Sequence, residues 1–166
     1  ASPAADMVPP LIALGAQVNI RSSRGERTMV VEEFFRGPGE NVLELDEILT
    51  DIYVPPVPPS VRSIYEKFSL REAMAISTVG VAVSLSIEDG ICTQARVVLG
   101  AVGPKAVRSG SAEGVLLGKE IEDALVGEAA KAAANDSQPI SDIRGAASYR
   151  LDLVEALTRR AILKLL

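Results

Sequence analysis

The sequence predicts an α+β fold in two parts. A small β-rich unit comes first, and an antiparallel β-meander packed with about three helices follows it. Three observations carry this reading. Strand-like alternation dominates as far as Leu99, and helical spacing dominates from Ala112 onward. Such segregation marks α+β rather than alternating α/β architecture. The densest proline cluster, Pro55-Pro56-Val57-Pro58-Pro59, forms a stiff extended linker between the two kinds of patterning. Finally, 48% of the 166 residues are apolar but only 4% are aromatic, so Leu, Ile, Val and Ala must build the core. The two parts are read as 1–57 and 58–166.

In order, Ser2-Pro3 reads as a helix start, with Ser2 at the N-cap, Pro3 at the first helical position and Asp6 in the first turn, favoured there by the helix dipole. The helix would run from Pro3 to Leu14, interrupted at Pro9-Pro10, and end at Gly15. Ala16 to Arg21 and Glu26 to Val31 alternate as a hairpin about Ser22-Ser23-Arg24-Gly25. A helical turn over Val31–Phe35 buries aromatics, Arg36 to Asn41 is a loop, and Ile48 to Val54 is a third strand. Gly37-x-Gly39 opens no helix and reads as a turn rather than a phosphate loop. Three strands and one short helix are marginal for an independent domain. With its abrupt start, the first part reads as the remainder of a larger domain.

Beyond the linker, Ser63 to Ser69 is a short strand, and Glu72 to Ile76 fits either its continuation or a helical turn. Val79 to Ile87 alternates as a half-buried strand. Asp89-Gly90 is the signature of a tight hairpin, and Ile91 to Leu99 returns. Helices then cover Ala112–Leu117, Glu120–Ala134 with Ile121, Leu125 and Ala129 on its inner face, and a last segment capped at Ser148 or a neighbour and reaching Leu166.

The charge balance is −5, which argues against nucleic acid as a partner, since phosphate neutralisation needs clustered Lys and Arg. No apolar run approaches a membrane span. No basic segment with a following apolar stretch opens the chain, and Cys92 has no second cysteine to pair with, so a reducing cytoplasm is expected. With no histidine, Ser-His and Cys-His catalysis within the chain are excluded, as are a self-contained zinc site or iron–sulfur cluster. Redox chemistry would require a bound cofactor.

Lys67 and Arg71 lie just past the linker. Lys67 reads either as a solvated strand lysine paired with Glu66 or Glu72, or as part of a site at the seam. Arg71, Arg144 and Arg150 read as partners of acids such as Glu72, Asp142 and Asp152. Cys92 reads as buried and inert, and Tyr149 as a packing residue.

Several strings, in order, resemble one family. They are Ala1-Ser2-Pro3-Ala4-Ala5-Asp6; Asp46-Glu47-Ile48-Leu49 before a strand ending in Val54-Pro55; Tyr65-Glu66-Lys67-Phe68-Ser69-Leu70-Arg71; Ala112-Glu113 with Leu116 and Gly118; and Pro139-Ile140-Ser141-Asp142-Ile143-Arg144-Gly145 followed by Ser148-Tyr149-Arg150. The set is similar to the FAD-binding medium subunit of molybdenum hydroxylases, the xanthine dehydrogenase and carbon monoxide dehydrogenase flavoproteins. The resemblance implies an oxidoreductase subunit in which electrons pass from molybdopterin through iron–sulfur clusters to FAD, then to NAD or a quinone. It implies as partners an iron–sulfur small subunit and a molybdopterin large subunit. It also implies an upstream FAD-domain segment, absent here, that carries two glycine-rich pyrophosphate loops, so that this chain holds about half of an FAD site. By the same resemblance Asp6 contacts the ribityl side, Leu49 packs by the isoalloxazine, Lys67 lies near that ring, and Ser2 belongs to the same Ser-Pro motif. An ammonium at ~4 Å from an electron-rich ring stabilises it by on the order of 4 kcal/mol at an effective dielectric of about 20, before desolvation. The alternative is a non-catalytic subunit-docking domain that binds no flavin by itself.

Overall fold

The structure is a computed structural model describing residues 1–166. The first part contains α1 (Val8–Ala13), the hairpin β1 (Gln17–Ser22) and β2 (Gly25–Val30), a single helical turn α2 (Val31–Phe34), a ribbon of β3 (Phe35–Gly37) and β4 (Glu40–Asn41), and β5 (Ile48–Tyr53). β1 is the central strand, antiparallel to β2 and β5. The second part is a four-stranded antiparallel sheet, β6 (Val61–Phe68), β7 (Val79–Glu88), β8 (Ile91–Gly100) and β9 (Val107–Arg108), followed by α3 (Gly110–Leu116), α4 (Asp123–Asp136) and α5 (Ala147–Leu163). The α+β expectation of a meander followed by three helices is met. Asp89 and Gly90 both take positive φ, 51° and 81°, as the twist-matched two-residue hairpin requires.

Four local expectations are corrected. The first helix begins at Val8, not Pro3, and Met7 precedes it without a side-chain cap. Pro9 and Pro10 lie in its first turn, where a missing N–H leaves no helical bond unmade. The prolines therefore open the helix instead of breaking it; Ser2 caps nothing, and Asp6 precedes the helix. Glu72 to Ile76 is neither strand nor helix but a bend, closed by the Thr78 N–H donating to the Phe68 carbonyl at 2.9 Å. α4 starts at Asp123, not Glu120, so Ile121 lies before it; the helix buries Val126, Ala129, Ala130 and Ala133, and Ile121 and Leu125 pack against the same core as expected. Ser148 lies inside α5. The hydroxyl of Ser141, six residues upstream of Ala147, accepts that residue's N–H at 2.9 Å instead.

The largest correction concerns β7, expected to be half-buried. It is buried on both faces from Val79 to Ser86. Val79, Val81, Val83 and Leu85 share one core with Val97, Leu99, Leu116, Val126, Leu157 and Ile162. From the opposite face of the sheet, Ala82 and Val98 join Ile12, Ala13, Val18, Ile20, Val31 and Phe34 in a second core. The sheet is thus a middle layer, with helices on one side and the N-terminal part on the other. Gly100, paired with Gly80, allows this close approach: a Cβ there would lie 2.8 Å from Pro9 Cγ.

The outer sheet is tied by ion pairs. Glu47 accepts from Arg27 Nε and Nη2, both at 2.7 Å, and from the Glu44 N–H at 2.9 Å. Arg27's hydrogen bonds, then the Glu44 N–H, hold the Glu47 carboxyl down at about 2 from its ordinary 4.5. A folded value below the unfolded one stabilises the protein above the unfolded value, and that contribution is lost as pH falls through the folded one. Glu47→Gln is therefore expected to lower the melting temperature at neutral pH and to flatten its decline between pH 4.5 and about 2. Thermal melts across that range check this; parallel wild-type and variant curves would contradict it.

Candidate functional site at the seam between the two parts

Strand alternation places Tyr65 and Lys67 on one face of β6, the face that meets the N-terminal segment. Asp6 sits opposite them. Its Oδ2 accepts from Lys67 Nζ at 2.7 Å, and its Oδ1 accepts from Ser77 Oγ at 2.5 Å and Tyr65 OH at 3.3 Å. Lys67 also donates to the Ala75 carbonyl at 3.4 Å. Lys67 therefore pairs with neither Glu66 nor Glu72. Glu66 is taken by Lys164 and Arg160, because its side chain points to the other face of β6, toward α5. Burial alone would raise the Asp6 carboxyl, but the Lys67 and Ser77 hydrogen bonds and the Lys67 charge outweigh it and hold the group below its ordinary value. Burial pushes the Tyr65 phenol up to about 12, so it remains a donor.

Next to this cluster is an open cleft of about 530 Å³. Ser2, Pro3, Ala4 and Pro38 line it together with Ile76 and Ser77, with Ala101, Gly103 and Pro104 as its floor, and with Gln138, Ile140, Asp142, Arg144 and Arg150. Ile76 and Ile140, both more than half exposed, make its rim apolar. The floor is fixed by Ala101, held at φ 63° in the left-handed region. Its N–H donates to the Pro3 carbonyl at 2.9 Å, and its carbonyl accepts from Arg150 Nη1 at 3.0 Å.

Arg150, with only 4% of its side chain exposed, also reaches the Thr78 carbonyl at 3.3 Å and Asp142 Oδ1 at 2.5 Å. Its partner is Asp142, not Asp152, because Asp152 lies further along α5 while Asp142 sits in the loop that folds back over the helix start. Arg144 pairs with the same Asp142 at 3.1 Å, as expected. The Arg144 N–H and the Arg150 guanidinium hold the Asp142 carboxyl below its usual range. Arg71 donates to the Met74 carbonyl at 2.5 Å rather than to Glu72. Cys92 is fully buried, with burial raising its thiol. Tyr149 packs edge-on against Phe68.

Of the four site residues named from the sequence, the fold brings Ser2, Asp6 and Lys67 to this seam. Leu49 lies elsewhere, half-buried on β5 opposite Ile20. Ser77 is central to the cluster, yet nothing in its sequence surroundings marks it. Asp142-x-Arg144 stood out only as part of a family string.

The arrangement defines a class first: a two-part α+β unit presenting one polar, charge-paired wall and one apolar rim at its internal seam. Residues 63–165 match the CO dehydrogenase flavoprotein C-terminal domain, and residues 1–57 match the FAD binding domain in molybdopterin dehydrogenase. The chain is 36% identical to the nicotine 6-hydroxylase medium subunit of Paenarthrobacter nicotinovorans, over 93% of its own length and 53% of the relative's. It is 31% identical to the xanthine dehydrogenase FAD-binding subunit of Escherichia coli O157:H7, over 95% and 54%. It superposes on carbon monoxide dehydrogenase from Hydrogenophaga pseudoflava with a TM-score of 0.95 at 31% identity, covering 99% of this chain and 57% of that one. Quinoline 2-oxidoreductase from Pseudomonas putida 86 gives 0.90 at 33%, with the same coverage. The chain belongs to the FAD-binding medium subunits of the xanthine and carbon monoxide dehydrogenase family. It spans about half the length of the curated relatives it matches.

Proposed function

We propose that this chain forms one wall of an FAD site in a molybdenum hydroxylase, and that the wall is the seam cleft. The observation that carries the reading is that Asp6 and Lys67, 61 residues apart, pair next to Ser77, which with Ser2 lines the cleft. The residues present suit the cofactor. Pro3, Ala4, Ile76 and Ile140 offer flat apolar contact for a planar ring, and Ser2 offers a donor for its polar edge; Lys67 stands behind the lining, joined to Ser77 through Asp6. Leu49 enters through the family resemblance, as an apolar contact on β5.

Bound FAD supplies the redox chemistry, and the protein supplies orientation and electrostatics. The assembled enzyme would be a cytoplasmic oxidoreductase containing an iron–sulfur small subunit and a molybdopterin large subunit, with NAD or a quinone as acceptor. No helix here is long and apolar enough to cross a membrane. A second reading, a docking domain that holds no flavin, draws support from the two cores, which are built from this chain's own side chains on opposite faces of the β6–β9 sheet.

Purification from the native cells, with whatever subunits accompany the chain, is expected to give a yellow species with bound FAD. A colourless assembly favours the docking reading. Lys67 is about one-third exposed, so its contribution is that of a screened charge. Lys67→Ala is expected to weaken FAD binding about two- to five-fold, equivalent to ~0.5–1 kcal/mol. Flavin fluorescence titration reads this, and unchanged affinity would remove Lys67 from the site.

A further inference from the structure

We propose that Arg150 is a positioning residue of the cleft, acting by holding Ala101 in the left-handed conformation from which Ala101 anchors Pro3. This role rests on the flavin reading above and adds to it a residue that acts through another. Ala101 stands where the chain leaves β8, at φ 63°. In that region the Cβ of an L residue crowds the following carbonyl, so a non-glycine residue stays there only when its surroundings hold it. Two hydrogen bonds do so. The Ala101 N–H donates to the Pro3 carbonyl at 2.9 Å, and the Ala101 carbonyl accepts from Arg150 Nη1 at 3.0 Å. One residue thus joins the stretch ahead of α1 to α5, and Pro3, Ala101 and Arg150 all line the cleft.

The stretch needs such an anchor. Ser2, Pro3 and Ala4 belong to no helix or strand. Pro3 has no N–H to give, so its carbonyl is its only main-chain tie, and Ala101 takes it. Ala4 makes no main-chain hydrogen bond of its own. A contact surface that must be ordered on binding weakens affinity, and one already held in place does not. Arg150 is arranged to hold. It is almost wholly enclosed, and its two Nη groups serve the Thr78 carbonyl, the Ala101 carbonyl and Asp142. Its Nε is buried without a partner. The guanidinium thus forgoes one hydrogen bond in the orientation that satisfies acceptors on three segments: the residue before β7, the cleft floor, and the loop carrying Asp142.

A matched pair of variants separates positioning from stability. Leu157→Ala, on the same helix, removes a core contact that does not line the cleft, and is expected to destabilise the fold to a similar degree. In the FAD-loaded holoprotein, well below its melting temperature, Arg150→Met is expected to raise the FAD dissociation constant about ten-fold, and Leu157→Ala less than about two-fold. Flavin fluorescence titration reads both. Glycine adopts the left-handed region without strain, so Ala101→Gly should depend less on the arginine. In that background Arg150→Met is expected to cost about three-fold or less. Equal losses from Arg150→Met and Leu157→Ala would make Arg150 a residue of general stability and overturn the proposal. So would an Arg150→Met loss that Ala101→Gly leaves unchanged, since the arginine would then not act through Ala101. Arg150→Lys keeps the charge but not the planar fork, and takes the place of Arg150→Met should the methionine variant not fold.

A second measurement needs no flavin. In the chain as it stands, hydrogen exchange of the Ala101 amide is expected to quicken in Arg150→Met by more than that of the β7 and β8 amides, and in Leu157→Ala only in step with them. An Ala101 amide that follows those strands in both variants would mean that Arg150 does not hold it, and the proposal fails. A holoprotein without FAD would instead sink the flavin reading, while exchange still decides whether Arg150 holds Ala101.

Discussion

Arg150→Met is expected to cost about 3 kcal/mol of unfolding free energy, the lower end of the range for breaking a buried charge pair. The arginine is almost wholly enclosed, and its guanidinium serves three acceptors on three segments: Asp142, Thr78 and Ala101. Methionine fills much of the same volume but satisfies none of them. Two backbone carbonyls would then lose a partner in the interior, each at a cost of about 1–3 kcal/mol. The lower end applies because Asp142 retains Arg144 and is 24% exposed, so it is not stranded as an isolated buried ion. The loss also reaches the cleft, since Arg150 is what ties the left-handed Ala101 to α5. Chemical denaturation should show a lowered midpoint with an unchanged slope. A loss under about 0.5 kcal/mol, the size of an ordinary surface substitution, would show that the buried network is not organised as described.

Leu157→Ala is expected to cost ~3 kcal/mol or more. Leu157 is 1% exposed on α5 and belongs to the larger core, whose other members include Ala129, Ala133 and Ala161. Leucine truncations in cores cost about 2–5 kcal/mol, the larger values arising where neighbours cannot collapse into the space. Alanine neighbours have no further side chain to extend into it. For a domain of this size, ~3 kcal/mol corresponds to a melting temperature lower by roughly 6–12 °C. Leu163→Ala, on the same helix but 38% exposed, is the control and should change it little. Equal losses at the two positions would contradict the packing described here.

Much of the fold was legible in the residues because strands and helices report their own period. Val79-x-Val81-x-Val83-x-Leu85 announces a strand, Asp89-Gly90 announces the turn after it, and Leu151, Val154, Leu157 and Ala161 announce the inner face of α5. The elements that escaped were too short to show a period: β3, β4 and β9 are two or three residues long. The start of α1 was misplaced because a proline reads equally as a helix opener or a helix breaker, and only the neighbouring contacts choose. The seam was visible as a proline cluster, but not the contacts that close it.

The sequence by itself determined the order and type of the main elements, an acidic histidine-free chain that must borrow any redox chemistry, and a set of strings placing it in a flavoprotein family. The tertiary structure decided that β7 is buried on both faces, that Lys67 pairs with Asp6, and that Arg150 turns to Asp142. The reason is one of range. Periodicity records how one element meets its surroundings, averaged over a few residues. A partner across 61 residues depends on which layer stacks on which face, and the small side chains Ala82, Gly80 and Gly100, which allow that stacking, leave no periodic signal of their own.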